Sequence, residues 1–129
     1  MTGRPLQSQS LWQSFGFAWS GMYHALLTER NFQIHTSIAL LVVVAGLRLH
    51  ISRNDWLALL LIIAMMGATE LINTAIEYLG DAATNGVVNE DVRLAKNIAA
   101  AACLLISVIA VVMGLIIFAP YMPVHWHTP

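Results

Sequence analysis

Long apolar runs, each bounded by polar residues, are the main pattern along this chain. Three of them are long enough to suggest membrane helices, which need about 20 mostly apolar residues to cross a bilayer. They cover residues 34–49, 56–81 and 96–119. The third run has no charged residue between positions 98 and 118, and Pro120 ends it. The pattern therefore predicts three membrane crossings.

Residues 5–31 show a different pattern, in which large apolar residues recur at spacings of three and four with polar residues between them. The apolar positions are Leu11, Trp12, Phe15, Trp19, Met22 and Leu26. This spacing places them on one face of a helix. It predicts an amphipathic helix that lies in the membrane interface. The alternative is a helix packed on the membrane bundle, and both descriptions can hold along one length.

Composition supports a membrane protein. Of the 129 residues, 58% are hydrophobic and 10% are charged, and the mean hydropathy is +0.70, whereas about a quarter of the residues in an ordinary soluble domain are charged. A chain this short cannot bury so much apolar surface within itself. The net charge of −1 argues against a nucleic-acid binder, which needs a basic excess. We therefore predict one all-α integral membrane domain over residues 1–129, with a surface helix and three membrane helices.

The basic residues predict the orientation of the chain. With three crossings, the N-terminus and the second connector lie on the same side of the membrane. That side carries Arg4, Arg30, Arg93 and Lys96, and the opposite side carries Arg48 and Arg53. Because basic residues favour the cytoplasmic side, the N-terminus is predicted to be cytoplasmic.

Four polar residues in the second crossing carry the candidate chemistry. Glu70, Asn73, Glu77 and Asp81 fall within an arc of about 80° on a helix. Asn73 alone is explained equally well by hydrogen bonding between helices, but three carboxylates repel one another unless a cation lies among them. Their oxygens suit a hard ion such as Mg²⁺. A proton or cation pathway is the other functional interpretation, although the apolar half of this crossing favours a site at one face.

Two further charges lie near the same face. Glu29 precedes the first crossing and is either a solvated interfacial charge or, if the surface helix folds back, a metal ligand together with Glu77. Lys96 begins the third crossing and either extends to the interface, pairs with a carboxylate or contacts a phosphate. These groups suggest phosphoryl transfer from a nucleotide to a lipid, with transport and structural roles left open. No known glycine-rich nucleotide-binding loop is present.

The sequence also resembles a known family. The run Glu70-Leu-Ile-Asn-Thr-Ala-Ile-Glu77, then Asp81 and Leu94-Ala-Lys-Asn-Ile-Ala-Ala, resembles the small prokaryotic diacylglycerol kinases, a family that includes undecaprenol kinases. Glu29-Arg-Asn-Phe-Gln-Ile-His35 looks like the first-crossing signature of the undecaprenol kinase branch. The resemblance covers about residues 12 to 119. It implies a homotrimer of three-crossing subunits in the bacterial inner membrane.

The resemblance implies an activity and a role for each site residue. The family uses MgATP to phosphorylate a lipid hydroxyl at the cytoplasmic face; undecaprenol is the expected acceptor here and diacylglycerol the alternative. By position, Glu70 is similar to the base that contacts the lipid hydroxyl, and Glu29 and Glu77 are similar to the ligands of the nucleotide-bound Mg²⁺. The other implied nucleotide partners are Phe17, Asn73, Asp81, Asn89, Lys96 and Asn97.

Three of these positions depart from the family pattern. Relatives usually have Asp where Asn97 stands, and often have His at the position of Asn89 and Tyr at that of Phe17. An asparagine keeps an acceptor oxygen but lacks the charge. An inactive relative of the kinases is therefore one alternative. A non-catalytic membrane protein or cation conduit is the alternative from a different class.

Overall fold

The computed structural model describes residues 10–85, 87 and 89–122. Within these residues the chain forms four α-helices and a short 3₁₀ turn at Ala119–Tyr121. The helices are α1 (Leu11–Thr28), α2 (Arg30–Leu49), α3 (Arg53–Thr84) and α4 (Glu90–Phe118). Three helices, α2, α3 and α4, are long and apolar enough to cross a membrane. The prediction of an all-α fold with three crossings is confirmed, and the homotrimer stays a prediction.

Each membrane helix begins before the apolar run that revealed it. The Ser52 hydroxyl caps α3 by accepting a hydrogen bond from the backbone N–H of Asp55 at 3.2 Å. Asn89 caps α4 in the same way, and its Oδ1 lies 3.0 Å from the backbone nitrogen of Val92. Because these polar caps satisfy the first free N–H groups of a helix, the helices extend past the apolar runs into polar sequence. The apolar runs therefore mark the membrane-facing part of each helix rather than its full length.

Helix α3 is the central element of the fold. Its buried apolar residues Leu59, Ile62 and Met66 form a core with Ile106 and Ile117 of α4 and with Ile51, which precedes α3. Helix α2 approaches α3 closely at the buried Gly46, where an added Cβ would lie 3.1 Å from the Trp56 ring. The outward faces of these helices expose leucine, isoleucine and valine side chains, as expected for surfaces that meet lipid or another subunit.

Helix α1 contacts the bundle only near its C-terminal end. Ala25 is 2% exposed, whereas Leu11 and Trp12 are 80% and 85% exposed. The last part of α1 thus packs on the bundle, and the first part exposes apolar side chains. The position of this first part in the membrane interface stays a prediction; residues 5–9 of the predicted interfacial helix lie outside the described residues.

Helix α3 is longer than a bilayer is thick. Its 32 residues span about 48 Å, while the hydrocarbon core of a bilayer is about 30 Å thick. The excess lies at the C-terminal end, because the apolar residues that pack in the core occupy its first half. The predicted carboxylate stripe of Glu70, Glu77 and Asp81 therefore begins near one membrane boundary and continues beyond it.

Candidate active site

The deepest carboxylate of the predicted stripe is Glu70, which is 3% exposed on α3. Its Oε1 lies 3.2 Å from Nε2 of His35 on α2, and the Cys103 thiol on α4 lies beside it. A buried carboxylate is costly unless it is paired or hydrogen-bonded. His35 therefore stabilises an acidic group that three helices enclose. His35 was not among the predicted site residues, because its place in an apolar run gave no sign of the partner it meets.

Asn73 and Glu77 lie along the same face, further toward the end of α3. The amide nitrogen of Asn73 donates to Oε1 of Glu77 at 2.9 Å, and this donation fixes which way the amide points. Its oxygen, Oδ1, is buried and has no hydrogen-bond partner among the described residues. An unpaired buried acceptor is unfavourable, so this oxygen is available to a cation or to a donor on a ligand.

Glu29 lies where α1 meets α2, with extended backbone angles of φ −94° and ψ 108°. Its Oε1 accepts a hydrogen bond from the Tyr78 hydroxyl at 3.2 Å, and Nε2 of His24 lies 3.0 Å from the same hydroxyl. Because the tyrosine has one hydrogen and gives it to Glu29, His24 must donate through Nε2. This network connects the surface helix to α3 next to Glu77. Sequence reasoning missed both Tyr78 and His24.

The carboxylates do not form a closed metal cage. No group of three or more His, Cys, Asp or Glu side chains in the described part of the chain is placed to hold a metal ion. Mg²⁺ is commonly bound through one or two carboxylates together with substrate phosphates and water. Glu29, Glu77 and the free oxygen of Asn73 are oxygen donors of this kind. The donor set therefore fits a magnesium ion that arrives with a nucleotide.

A second polar cluster lies between the end of α3 and the start of α4. Nζ of Lys96 lies 2.7 Å from Oδ1 of Asp81, so this lysine pairs with a carboxylate, one of the three alternatives given for it. Both residues line a cleft of about 290 Å³ together with Asn89 and Asn97. The structure thus brings four of the predicted nucleotide-contacting residues to one cleft. The Oδ1 of Asn89 already accepts the hydrogen bond from Val92 that caps α4, so the amide nitrogen of Asn89 is the group left for a ligand.

Gly80 allows the two helices to meet at this cleft. A Cβ added there would lie 2.8 Å from Cγ1 of Val92 and 3.5 Å from Cδ of Lys96. Since a carbon–carbon contact is most favourable at about 3.5–4.0 Å, only glycine fits without a shift. Gly80 was not singled out from the sequence, because its importance depends on the side chain opposite.

Phe17 is the predicted site residue that the structure leaves apart. It is 66% exposed on α1 and lines neither the polar cleft nor the apolar groove described next. It lies about 10 Å along the helix axis from His24, the residue through which α1 meets Tyr78.

An apolar groove lies beside the buried carboxylate, and its wall includes the His35 that contacts Glu70. It has a volume of about 910 Å³ and lies between α2, α3 and α4, with His35 at one end and Phe118 and Met122 at the other. The α2 residues that line it extend from Phe32 to Ala45, which is about 20 Å along the helix axis. We call this feature the membrane groove. The sequence did not predict it, because it depends on how far α2 stands from α4.

Comparison with known proteins gives consistent matches. The family model for prokaryotic diacylglycerol kinase matches residues 16–118. An undecaprenol kinase of Bacillus subtilis (strain 168) is 37% identical over 108 residues, which are 84% of this chain and 87% of that protein. A diacylglycerol kinase of Synechocystis sp. is 37% identical over 101 residues, which are 78% of this chain and 58% of that protein. The matched range includes the buried Glu70, the network of Glu29 and Tyr78, and every residue of the polar cleft.

Proposed function

We propose, from the premise that this chain belongs to the prokaryotic diacylglycerol kinase family and is a lipid kinase, that it transfers the γ-phosphate of ATP to undecaprenol. Diacylglycerol is the second candidate acceptor. We place undecaprenol first because the match to the undecaprenol kinase spans most of both chains, whereas the match to the diacylglycerol kinase spans 58% of that protein. Family membership also overturns the cation conduit and the non-catalytic membrane protein as alternatives.

The observation that carries the proposal is the burial of Glu70 in contact with His35, a residue that lines the membrane groove. Glu70 lies about 26 Å along α3 from Arg53, and the hydrocarbon core is about 30 Å thick. With Arg53 at one interface, Glu70 lies just inside the opposite boundary. The hydroxyl of a membrane lipid is found at this depth. Glu70 is thus positioned to take the proton of a lipid hydroxyl, and its burial keeps competing water away.

The membrane groove is suited to the chain of the acceptor. Its walls are apolar apart from His35, Thr36 and Ser107, and His35 contacts Glu70 behind the wall. A hydrocarbon chain lying there would place its terminal hydroxyl at Glu70. We assign the groove to the acceptor rather than to a helix of a second subunit, because a helix would leave the buried carboxylate with nothing to act on.

The remaining residues divide the other tasks of phosphoryl transfer. Glu29, Glu77 and the free oxygen of Asn73 would hold Mg²⁺, which when bound neutralises charge on the β- and γ-phosphates. Lys96 supplies a positive charge to the phosphates, and Asp81 orients its ammonium group. Glu70 accepts the proton as the lipid oxygen bonds to phosphorus and ADP leaves. We place this site on the cytoplasmic face of the bacterial inner membrane, in a homotrimer, with Phe17 at the nucleotide edge of the surface helix.

A direct assay tests the acceptor. The purified protein in mixed micelles would receive MgATP labelled in the γ-phosphate and equal mole fractions of undecaprenol, diacylglycerol or ceramide. We expect undecaprenol to have the highest kcat/KM. A higher kcat/KM with diacylglycerol would reverse the order of the two candidates, and no transfer to any of the lipids would contradict the proposal.

A variant in the groove tests where the chain lies. Gly114 lines the far part of the groove, and a Cβ there meets nothing within 4 Å, so Gly114→Leu should fill this space without disturbing the core. We expect the KM for undecaprenol to rise while the KM for a four-isoprene alcohol stays unchanged. Gly16→Leu is the matched control, because Gly16 also faces open space but lies on α1. Equal effects on long and short acceptors, or a change in oligomeric state alone, would remove the acceptor from the groove.

A further inference from the structure

We infer that His35 is a positioning residue for the phosphoryl transfer: its Nε2–H holds Oε1 of Glu70, so that the second carboxylate oxygen faces the lipid hydroxyl. The inference rests on the proposed function, in which Glu70 is the base. It concerns a residue on a different helix, to which neither the stripe of α3 nor the family resemblance assigns a role.

The geometry of the pair is the first argument. Nε2 of His35 and Oε1 of Glu70 are 3.2 Å apart, which is the long end of the usual range for an N–H···O hydrogen bond. The Glu70 side chain is 4% exposed and that of His35 is 26% exposed. The histidine thus reaches from the groove wall to a carboxylate that water does not solvate. Replacing it by an apolar residue leaves the carboxylate without this donor.

The position of His35 in the groove wall is the second argument. His35 lines the membrane groove, so an acceptor that enters by the groove passes the imidazole before it meets Glu70. A carboxylate has two oxygens, and the one held by His35 is turned away from the proton it would otherwise accept. The other oxygen is then directed to the acceptor in a single orientation. Such orientation is valuable, because a misplacement of about 1 Å at a reacting group can lower a rate by about 10²-fold.

The atoms of the step balance with His35 acting only as a donor. The acceptor O–H bond breaks and its proton moves to the free oxygen of Glu70. The acceptor oxygen bonds to the γ-phosphorus as the bond from phosphorus to the β-phosphate oxygen breaks, and ADP leaves. The N–H of His35 stays on its nitrogen throughout.

The test uses three substitutions that differ in where they place a donor. In glutamine the amide nitrogen stands three bonds from Cβ, as Nε2 does in histidine, whereas in asparagine it stands two bonds away, as Nδ1 does. His35→Gln therefore keeps a donor at the position that faces Glu70, while His35→Asn and His35→Leu do not. Ser37→Ala is the control: Ser37 is exposed on the same helix and its hydroxyl donates to the backbone oxygen of Gln33 at 2.8 Å.

The measurements are kcat, the KM for each substrate and the midpoint of thermal unfolding for every variant. We expect kcat to fall by about 10²-fold in His35→Leu and His35→Asn, to return most of the way in His35→Gln, and to stay unchanged in Ser37→Ala. The KM for MgATP should stay constant throughout. If His35→Leu fails to fold, the comparison of His35→Gln with His35→Asn still tests the inference.

The outcomes separate this inference from the proposed function. Equal losses of kcat in the glutamine and asparagine variants would overturn it, as would a loss of thermal stability with kcat intact in the folded fraction. A wild-type protein that phosphorylates no lipid alcohol, or a Glu70→Gln variant that remains active, would instead overturn the proposed function.

Discussion

Replacing Gly80 by alanine offers a sharp test of how the polar cleft is built. The new Cβ would lie 2.8 Å from Cγ1 of Val92. Valine has one strongly preferred rotamer in a helix, so its methyl group cannot turn away without cost. The helices α3 and α4 must therefore separate locally by about 0.7 Å to reach a favourable carbon–carbon distance. That movement would shift Asp81 and Lys96 relative to each other, because Asp81 is on α3 and Lys96 is on α4.

The expected magnitudes follow from two opposing effects. Overpacking typically costs about 1–3 kcal/mol, while alanine favours a helix over glycine by about 1 kcal/mol. The free energy of unfolding should therefore fall by roughly 0–2 kcal/mol. The effect on function should be larger: we expect kcat/KM for MgATP to fall by about tenfold, less than the loss of about 10² that a full 1 Å misplacement can cause.

A second substitution makes the test specific. In Gly80→Ala/Val92→Ala the obstructing methyl group is gone, so we expect most of the loss in kcat/KM to be recovered relative to Val92→Ala alone. Gly67→Ala is the stability control on the same helix, because a Cβ at Gly67 meets nothing within 4 Å. Kinetics over an ATP series and unfolding in mixed micelles provide both measurements. An unchanged kcat/KM in Gly80→Ala, or a double variant as impaired as the single one, would refute this account of the helix contact.

Five further substitutions test individual roles. Glu70→Gln should lower kcat by about 10²–10⁴-fold and leave MgATP affinity nearly unchanged; a variant that keeps more than about a tenth of the rate contradicts its role as the base. Glu29→Ala and Glu77→Ala should each weaken Mg²⁺-dependent nucleotide binding in calorimetry, and unchanged affinity in either variant removes that residue from the metal site. Tyr78→Phe removes the hydroxyl that donates to Glu29 and should raise the KM for MgATP by about 2- to 12-fold, the equivalent of one hydrogen bond; an effect larger than that of Glu29→Ala is incompatible with a supporting role. Asn97→Asp should preserve or raise MgATP affinity, since the residue is exposed in the wet cleft, and a clear rise in KM shows that the cleft is built around the amide.

The sequence predicted best what one helix determines alone. Glu70, Asn73 and Glu77 are all on α3, so the helical repeat is enough to place them on one face. The burial of Glu70 and Asn73 agrees with that periodicity. The helix starts were less accurate, because the prediction followed apolar runs and the caps at Ser52 and Asn89 lie outside those runs.

The sequence did not predict the contacts made between helices. His35 meets Glu70 and Tyr78 meets Glu29 because of how α1 and α2 pack on α3. That packing depends on close approaches such as Gly46 against Trp56, which no spacing rule specifies. A histidine in an apolar run and a tyrosine near an interface each have common structural explanations, so their residue types alone could not mark them as site residues.

In the proposed mechanism, the length of α3 explains how a chain with no known glycine-rich nucleotide-binding loop provides a kinase site. A lipid hydroxyl stays at the membrane boundary and a nucleotide stays in water, so the base and the phosphate-binding groups must be held at different depths. Glu70 and Glu77 lie about 10 Å apart along one helix axis, and Asp81 lies about 6 Å further on. Because a helix is rigid over this distance, the spacing between the proposed base, the proposed metal ligand and the partner of Lys96 is set by residue number and not by a flexible loop. The packing of α2 then adds His35 beside Glu70, and the packing of α1 brings Glu29 to Tyr78, next to Glu77. Glu70 and Asn73, which this division places at the deepest level, are accordingly among the buried polar residues of the described chain, all of which lie on α3.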